Sequence, residues 1–313
     1  MTLSGTAGPA AGRPAPASGR EPSPVDIGGG TQLHLIESGA GTPVYLLHGG
    51  MGDCRSWPRQ LEALSQGHRV IAFSRRHHSP NHNPAAGRHC IDDDVEDLAA
   101  LQQTLATGPA HLVGTSYGAL VALLFALRHP QAVLSLALAE PPLHRWACRT
   151  ARGQALYTAF MAEVWLPATQ AFEIGDDGRA LQLLADGIAG HAVFDSMPPD
   201  RRAAAWRNAA AMKAVTGSLD PFPDLPVAAV AALPMPILLL RGERCGGLHL
   251  CVMEELAHAL PAAAQAVIGN AGHGSHLENP GDFNAAVLSL WDKSVRRRAS
   301  DRRPSSAGRG APL

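Results

Sequence analysis

The chain has 313 residues, of which 46% are hydrophobic and 17% are charged, and its formal net charge is −1. This length and balance suit one soluble catalytic domain with an inserted subdomain, and they argue against a nucleic-acid-binding protein. No run of about 18 apolar residues is present, so no transmembrane helix is expected.

The two ends of the chain differ in composition from its body. Residues 1–26 are dominated by Ala, Gly, Pro and Ser and lack an apolar core of signal-peptide length, so they predict a disordered leader. Residues 293–313 carry seven Lys or Arg against the single Asp301 and predict a basic disordered tail. We favour a solvated extension for this tail, with an electrostatic arm for an anionic partner as the alternative.

The cysteines indicate the compartment. They are scattered and lack metal-ligand spacing, which predicts free thiols in a reducing cytoplasm and not a disulfide-stapled secreted fold. The five are Cys54, Cys90, Cys148, Cys245 and Cys251.

Between the ends, apolar runs and turn signals alternate as a parallel sheet requires. The predicted strands are residues 43–47, 69–73, 110–113, 132–140, 236–240 and 265–268. The predicted helices are residues 91–107, 119–124 and 282–291, with helical segments at 153–164, 178–188 and 199–215. Near-continuous apolar strands indicate a sheet that is covered on both faces and binds ligands at the carboxyl ends of its strands.

A G-x-S-x-G pentapeptide, residues 114–118, stands between a predicted strand and a predicted helix. In that setting the small flanking residues allow the backbone to crowd against itself, and the serine lies on a strained, exposed turn. Ser116 is therefore a candidate nucleophile.

Two further glycine-containing turns follow predicted strands. The early one, residues 48–52, reads His-Gly-Gly-Met-Gly, and the late one, residues 270–276, contains His273 and His276. A serine hydroxyl is a poor nucleophile at neutral pH, so it needs a base within hydrogen-bond reach, a group that orients this base, and donors for the oxyanion.

In this order the three motifs resemble the α/β-hydrolase superfamily, over roughly residues 31–292. The resemblance implies a doubly wound, mostly parallel sheet, with a core of residues 27–140 and 234–292 and an inserted helical cap of residues 141–233. It also implies that His273 is the base, preferred over His276 because of the Gly-His match, and that the backbone N–H groups of Gly50 and Tyr117 form the oxyanion hole.

The acid departs from the commonest pattern of the family. Many members carry an Asp three residues beyond a Gly after the penultimate strand, and here Cys245 occupies that position. A thiol is a poor orienting group, because holding the imidazole requires an anion or a good acceptor. Glu140 closes the predicted strand 132–140, and the resemblance offers it as the acid because some members of the family carry the acid after this strand, next to the serine strand. Glu243 is the runner-up, and a weak or absent acid is the other alternative.

Two parts of the sequence allow another functional interpretation. The turn at residues 48–52, with Arg75 and Arg76 after the next strand, could form a dinucleotide phosphate loop, but its glycines do not make G-x-G-x-x-G. The histidines of the 77–82 loop could bind a metal, but no carboxylate or cysteine accompanies them at ligand spacing, so a polar loop at the pocket rim is favoured. Asn208, on an amphipathic helical segment, could point into the active site or lie on an exposed helix face, and for Trp57 we expect a packing role.

The sequence thus predicts a cytoplasmic serine hydrolase that uses Ser116, His273 and Glu140 on a small or medium acyl substrate, with no cofactor, metal, nucleic acid or membrane partner. Ester, thioester, lactone and carbon–carbon bonds all remain open. The alternatives are an acyl transferase or lyase with the same fold, or a ligand-binding protein with a weakened triad.

Overall fold

The structure is a computed structural model that describes residues 20–83 and 89–301, with side chains described as far as residue 292. Its strands are β1 (Ser23–Asp26), β2 (Gln32–Ser38), β3 (Thr42–Leu47), β4 (His68–Phe73), β5 (Ala110–Thr115), β6 (Val133–Ala139), β7 (Ile237–Gly242) and β8 (Ala264–Ile268). They form one sheet of order β1-β2-β4-β3-β5-β6-β7-β8. The strands β4, β3, β5, β6, β7 and β8 run parallel, and β1 and β2 are added antiparallel at one edge. The predicted fold class is confirmed.

Helices flank the sheet and fill the long connection between β6 and β7. They are α1 (Pro58–Leu64), α2 (Ile91–Thr104), α3 (Tyr117–Arg128), α4 (His144–Ala147), α5 (Ala151–Phe160), α6 (Leu166–Glu173), α7 (Asp177–Ala189), α8 (Pro199–Arg207), α9 (Ala209–Thr216), α10 (Val227–Ala231), α11 (Gly247–Ala259), α12 (Ser275–Glu278) and α13 (Pro280–Asp301). A π-helical turn, Met161–Trp165, separates α5 from α6. No described helix is both long enough and apolar enough to cross a bilayer.

Each face of the sheet packs against its own hydrophobic core, and successive side chains of a strand enter the two cores in turn. In β3, Tyr45 and Leu47 pack into the core that contains α2, α3 and the helices between β6 and β7. Val44 and Leu46 point to the opposite face and pack with α1 and α13. Alternation of this kind puts successive side chains on opposite faces, so a strand buried on both faces needs apolar residues throughout.

The helices α4 to α10 occupy the segment that the sequence predicted as a helical cap, residues 141–233. The segment predicted as one helix at residues 199–215 is broken at Asn208 into α8 and α9. α4 and α5 pack against α11, so the inserted helices contact the core beside β7. Their role as a substrate-selecting cap stays a prediction.

The predicted boundaries of both ends need correction. β1 lies inside the segment that was predicted as a disordered leader, so that prediction is wrong for Ser23–Asp26. These residues pair with β2 across a turn that contains three glycines with positive φ, Gly28 to Gly30. Residues 1–19 lie outside the described residues. α13 continues to Asp301, so the backbone of the predicted tail is helical as far as that residue, and residues 302–313 lie outside the described residues.

The two glycines of the serine pentapeptide are required by close backbone contacts. A Cβ atom on Gly114 would lie 2.6 Å from the Cα of Ala119, and one on Gly118 would lie 2.2 Å from the carbonyl oxygen of Leu47. Real Cβ atoms do not approach backbone this closely, and backbone cannot give way as a flexible side chain can. The glycines therefore allow α3 to begin directly against the ends of β3 and β5.

We expect Gly118→Ala to lower the free energy of unfolding by about 3 kcal/mol or more, because overpacking against backbone forces a displacement of β3 or α3. Gly67→Ala is the matched control, since no atom lies within 4 Å of a Cβ built there. This control should change stability by less than about 0.5 kcal/mol. Chemical denaturation of both variants checks the prediction, and equal midpoints would contradict it.

Candidate active site

Ser116 stands on the turn between β5 and α3. Its backbone has φ 51° and ψ −126°, and a non-glycine residue held in such a sparsely populated region costs about 1–3 kcal/mol. The N–H of Ser116 donates to the carbonyl oxygen of Ala139 at 2.7 Å, which ties the turn to the end of β6. The serine is half-buried and lies at the carboxyl edge of the parallel strands.

Glu140 directly follows β6 at the same edge. Because Thr115 pairs with Ala139, the residues that come next on the two strands, Ser116 and Glu140, are neighbours across the sheet. Glu140 also has a positive φ of 47°, and it is 1% exposed. Its N–H donates to the carbonyl oxygen of Leu240 at 3.2 Å, so the turn is fixed on both sides.

The carboxylate of Glu140 holds His273. Oε2 accepts a hydrogen bond from Nδ1 of His273 at 2.7 Å, and Oε1 accepts one from the N–H of Gly242 at 2.8 Å. Burial by itself would raise the pKa of Glu140, but the hydrogen bond and the charge interaction with His273 outweigh it and leave the pKa below its ordinary value. Glu140 is therefore ionised at neutral pH and accepts the Nδ1 proton.

The remaining nitrogen of His273 is left free to act as a base. With the ring proton on Nδ1, Nε2 carries the lone pair. Nε2 is buried and forms no hydrogen bond with any residue that the structure describes. Oγ of Ser116 is thus not hydrogen-bonded to His273 in this structure, and the unpaired Nε2 leaves an acceptor that a hydroxyl or a substrate group can fill.

The loop of His273 reaches Glu140 because two backbones meet without side chains between them. A Cβ atom on Gly242, at the end of β7, would lie 2.2 Å from the carbonyl oxygen of Gly272. Glycine at position 242 thus lets the loop after β8 approach the end of β7. This contact brings the histidine within hydrogen-bond distance of an acid on β6, two strands away from β8.

The two rival residues have other partners. Glu243 accepts a hydrogen bond from the N–H of Asn270 at 2.8 Å and so braces the turn after β8. His276 is buried with its ring centroid 4.5 Å from that of Trp57, which packs as the sequence predicted. The structure therefore brings Glu140 and His273 together and places Glu243 and His276 elsewhere.

The glycine turn after β3 lies against the serine. A Cβ atom on Gly49 would lie 3.3 Å from Cβ of Ser116. Nε2 of His48 accepts from the N–H of Arg75 at 3.0 Å, so its Nδ1 carries the proton and donates to the carbonyl oxygen of Gly49 at 2.8 Å. The next carbonyl oxygen, that of Gly50, lies 2.8 Å from Nε2 of His78.

This arrangement fixes the peptide planes that carry the predicted oxyanion donors. The N–H of Gly50 and the carbonyl of Gly49 belong to the same peptide group, so the bond from His48 to this carbonyl also orients the N–H, and Tyr117 is the first residue of α3. The first N–H groups of a helix have no acceptor within the helix and carry the positive end of its dipole. Both groups are thus suited to an oxyanion beside Ser116.

Two residues of the inserted helices cover this turn, and nothing in the sequence indicated the first, Met212. A Cβ atom on Gly50 would lie 2.8 Å from the sulfur of Met212 on α9. Asn208 is 1% exposed, so of its two alternatives the exposed helix face is wrong. Its Oδ1 accepts from the N–H of Ser79 at 2.8 Å and its Nδ2 lies 3.3 Å from Oδ2 of Asp53. The signal in the sequence was an asparagine inside an amphipathic helical segment.

The arginines that suggested a nucleotide 2′-phosphate have internal partners. Arg75 is 1% exposed and forms a 2.7 Å ion pair with the equally buried Asp94, and its guanidinium lies 4.7 Å from the centroid of the Tyr117 ring. Arg76 pairs with Asp97 on α2. Both charges are compensated within the fold, which removes the basis of the dinucleotide interpretation.

The loop histidines at residues 77–82 do not form a metal site within the described residues. His78, 1% exposed, points to Gly50 and does not lie at a solvated rim as the sequence predicted. The described residues contain one group of three side chains whose ligand atoms are close enough to share a metal ion. It consists of Glu140, His249 and His273.

Buried neutral histidines make the fold sensitive to acid. Burial lowers the pKa of His48, His249 and His276 to about 3 each, against about 6.5 in an unfolded chain. A lowered histidine pKa gives stability that is present above pH 6.5 and lost as the pH falls below it, because only the unfolded chain then takes up protons. Asp97, whose burial raises its pKa to about 6, offsets less than about 1 kcal/mol of this loss.

We therefore expect the free energy of unfolding to fall by at least about 3 kcal/mol between pH 7.5 and pH 5.5, since each of these three histidines contributes about 1.4 kcal/mol and burial lowers the pKa of His78 and His144 as well. Urea denaturation at the two pH values measures it. In His276→Phe, which keeps a ring against Trp57, the pH effect should shrink by about 1.4 kcal/mol. A stability that is the same at both pH values would contradict the account.

Fold and site geometry together define a protein of the α/β-hydrolase type, with a strained serine turn, a histidine and a carboxylate at one sheet edge. The family model described as the alpha/beta hydrolase fold matches residues 42–280, and the chain belongs to this family. The family supports a hydrolase as the class of enzyme.

The individual proteins that resemble this chain share less than a third of its residues. A protein of Variovorax paradoxus named "Putative carbamate hydrolase RutD" is 29% identical over 244 residues, which cover 76% of this chain and 86% of the relative. A bromoperoxidase structure from Bacillus anthracis has a TM-score of 0.69 at 21% identity, covering 87% of this chain and all of the other. The carboxylesterase CesB from Bacillus subtilis has a TM-score of 0.66 at 20% identity, covering 88% and 93%. At such identities the two structures establish the fold alone.

Proposed function

We propose that the protein is a serine hydrolase that cleaves an acyl bond of a small or medium substrate through Ser116, His273 and Glu140. The observation that carries the proposal is the 2.7 Å hydrogen bond between Nδ1 of His273 and the buried Oε2 of Glu140, beside a serine held at φ 51°. An oriented base and a strained serine at one sheet edge are two of the parts that nucleophilic catalysis requires, and catalysis further requires that Nε2 of His273 come within hydrogen-bond distance of Oγ of Ser116.

The first half of the reaction forms an acyl-enzyme. Oγ of Ser116 attacks the substrate carbonyl carbon while Nε2 of His273 takes the hydroxyl proton. The N–H groups of Gly50 and Tyr117 donate to the oxyanion. The tetrahedral intermediate then collapses, and the imidazolium gives its proton to the leaving group as the bond to the carbonyl carbon breaks.

The second half regenerates the enzyme. Nε2 of His273 takes a proton from a water molecule as the water oxygen attacks the acyl carbon. Collapse of the second intermediate returns the proton to Oγ of Ser116 and releases the acid. Throughout, Glu140 stays ionised, holds the proton on Nδ1 and stabilises the imidazolium.

A cavity of about 410 Å³ lies beside His249, and Ser116 is not among the residues that line it. Its walls are largely apolar and include Leu156, Phe160 and Leu248. His249 also lines it, and the centroid of that ring lies 4.5 Å from the His273 ring. Pockets of about 300–1,000 Å³ hold small molecules, and this one is at the lower end.

Among bond types, we place esters first and carbamates second. Ester cleavage requires only the serine, the histidine, the carboxylate and the two oxyanion donors described above. The carbamate candidate rests on the likeness to the Variovorax paradoxus protein, whose printed name is a carbamate hydrolase.

A substrate panel tests the proposed function. Purified protein is assayed with p-nitrophenyl acetate, butyrate and decanoate and with the matching N-methyl carbamate. We expect turnover of the short esters, and the relative kcat/KM of acetate, butyrate and decanoate measures the acyl length that the site accepts. Folded protein that turns over none of the four would contradict a hydrolase of this class.

A further inference from the structure

We propose that Glu140, His249 and His273 form a binding site for a divalent transition-metal ion, with Zn²⁺ as the best match, and that metal binding at this site switches off the Ser116 relay. The inference uses the site residues of the proposed function but concerns a second ligand.

Two buried side chains, Glu140 and His249, and the half-buried His273 place their ligand atoms together. One carboxylate oxygen and two ring nitrogens lie within 4.8 Å of one another. His249 is 3% exposed, Glu140 is 1% exposed, and the two imidazole rings have centroids 4.5 Å apart. Two histidines and one carboxylate are a common donor set for zinc with one open position.

The distances are close to those that a bound ion requires. Zinc–nitrogen and zinc–oxygen bonds of about 2.0–2.2 Å in a tetrahedron place ligand atoms about 3.3 Å apart. The Glu140–His273 pair, now 2.7 Å apart, would open by about 0.6 Å, and the nitrogen of His249 would move inward by at most about 1.5 Å. A side-chain rotation of His249 supplies this movement without a change of backbone.

The cavity beside His249 provides an entry route and a fourth ligand. Glu163 and Asp186 line the same cavity, so its walls carry carboxylates that attract cations. A water molecule in the cavity would complete the coordination, as in other zinc sites with three protein ligands.

Metal binding at this site would inactivate the base directly. Coordination through Nδ1 of His273 breaks its hydrogen bond with Glu140, and the single ring proton then resides on Nε2. Nε2–H is a donor and cannot accept the proton of the Ser116 hydroxyl. No proton is gained or lost in this tautomer change, so removal of the metal by a chelator restores the original state.

Zinc alone is the probe, and binding is measured apart from activity. Isothermal titration of Ser116→Ala with ZnCl₂ reports binding in a protein that keeps all three ligands and has no nucleophile. We expect one strong site per chain, weakened at least about tenfold in the double variant with His249→Phe, which replaces one ring with another of similar size. His191→Ala, an exposed histidine of the cavity wall, is the matched control and should bind as tightly as Ser116→Ala.

Activity then tests the switch. Zn²⁺ should inhibit the wild type in parallel with binding, EDTA should restore the rate, and His249→Phe should need at least about tenfold more Zn²⁺ for the same inhibition. If His249→Phe does not fold, Glu140→Gln takes its place in the titration. Equal Zn²⁺ affinity with and without these ligands would overturn the site, whereas binding without any hydrolytic activity would overturn the proposed function alone.

Discussion

Replacing Ser116 with alanine is expected to lower kcat/KM for p-nitrophenyl esters by at least about 10³-fold, to the level of hydrolysis that pocket and oxyanion donors sustain without a nucleophile. The loss is large because no other hydroxyl can form the acyl-enzyme. Alanine retains the Cβ of serine, and the half-buried hydroxyl has little packing to lose, so the melting temperature should change by only a few degrees.

The control for this experiment is another serine near the same histidine. Ser275 lies two residues from His273, is 1% exposed, and its Oγ has no hydrogen-bond partner among the described residues. Ser275→Ala should keep most of the activity. A Ser116→Ala enzyme as active as this control would end the assignment of Ser116 as the nucleophile.

The second large effect is expected from the acid. Glu140→Gln should reduce kcat by about 10⁴-fold, because an amide can present its NH₂ group to Nδ1 and stabilise the wrong imidazole tautomer, and because it removes the charge that supports the imidazolium. The change preserves the shape of the side chain and the acceptor for the N–H of Gly242, so the fold should persist.

Glu243→Gln is the comparison. Glu243 accepts a hydrogen bond from the N–H of Asn270. It lies after β7, close to where many members of the family carry the acid, but no hydrogen bond joins it to a histidine among the described residues. We expect this variant to lose less than about tenfold in kcat, since the Gln amide oxygen still accepts that bond. A greater loss in Glu243→Gln than in Glu140→Gln would move the acid to the loop after β7.

The parts of the site that were predictable from the sequence are those with a local physical cause. The turn at Ser116 needs glycines at positions 114 and 118 because α3 begins against two strand ends, and both glycines stand in the sequence. Glu140 was predicted because a strand that neighbours β5 ends there, and parallel strands place their carboxyl ends at one sheet edge.

Residues that reach the site from distant segments left no such signal. No sequence motif surrounds His249. It lies beside His273 because α11 follows β7 and packs against α4. Met212 and Asn208 depend on how the helices after β6 fold back over the glycine turn. Their positions are set by tertiary packing, which the period of a single helix does not encode.

The edge of the sheet was missed for a different reason. β1 and β2 form a hairpin around three glycines, and this glycine-rich turn continues the composition of the preceding Ala, Gly, Pro and Ser residues. Composition alone therefore extended the predicted leader into a strand. The alternation of Leu33, Leu35 and their partly polar neighbours in β2 was the overlooked sign of a strand with one apolar face.

The central claim is that Ser116 is an activated nucleophile, and the most direct test is labelling with a fluorophosphonate, followed by peptide mass mapping. Attack by Oγ on phosphorus expels fluoride and leaves a covalent adduct. The account predicts one adduct per chain, on Ser116, and at least about 10³-fold slower labelling in Glu140→Gln. Folded protein that remains unlabelled, or that carries the adduct on another residue, would contradict it.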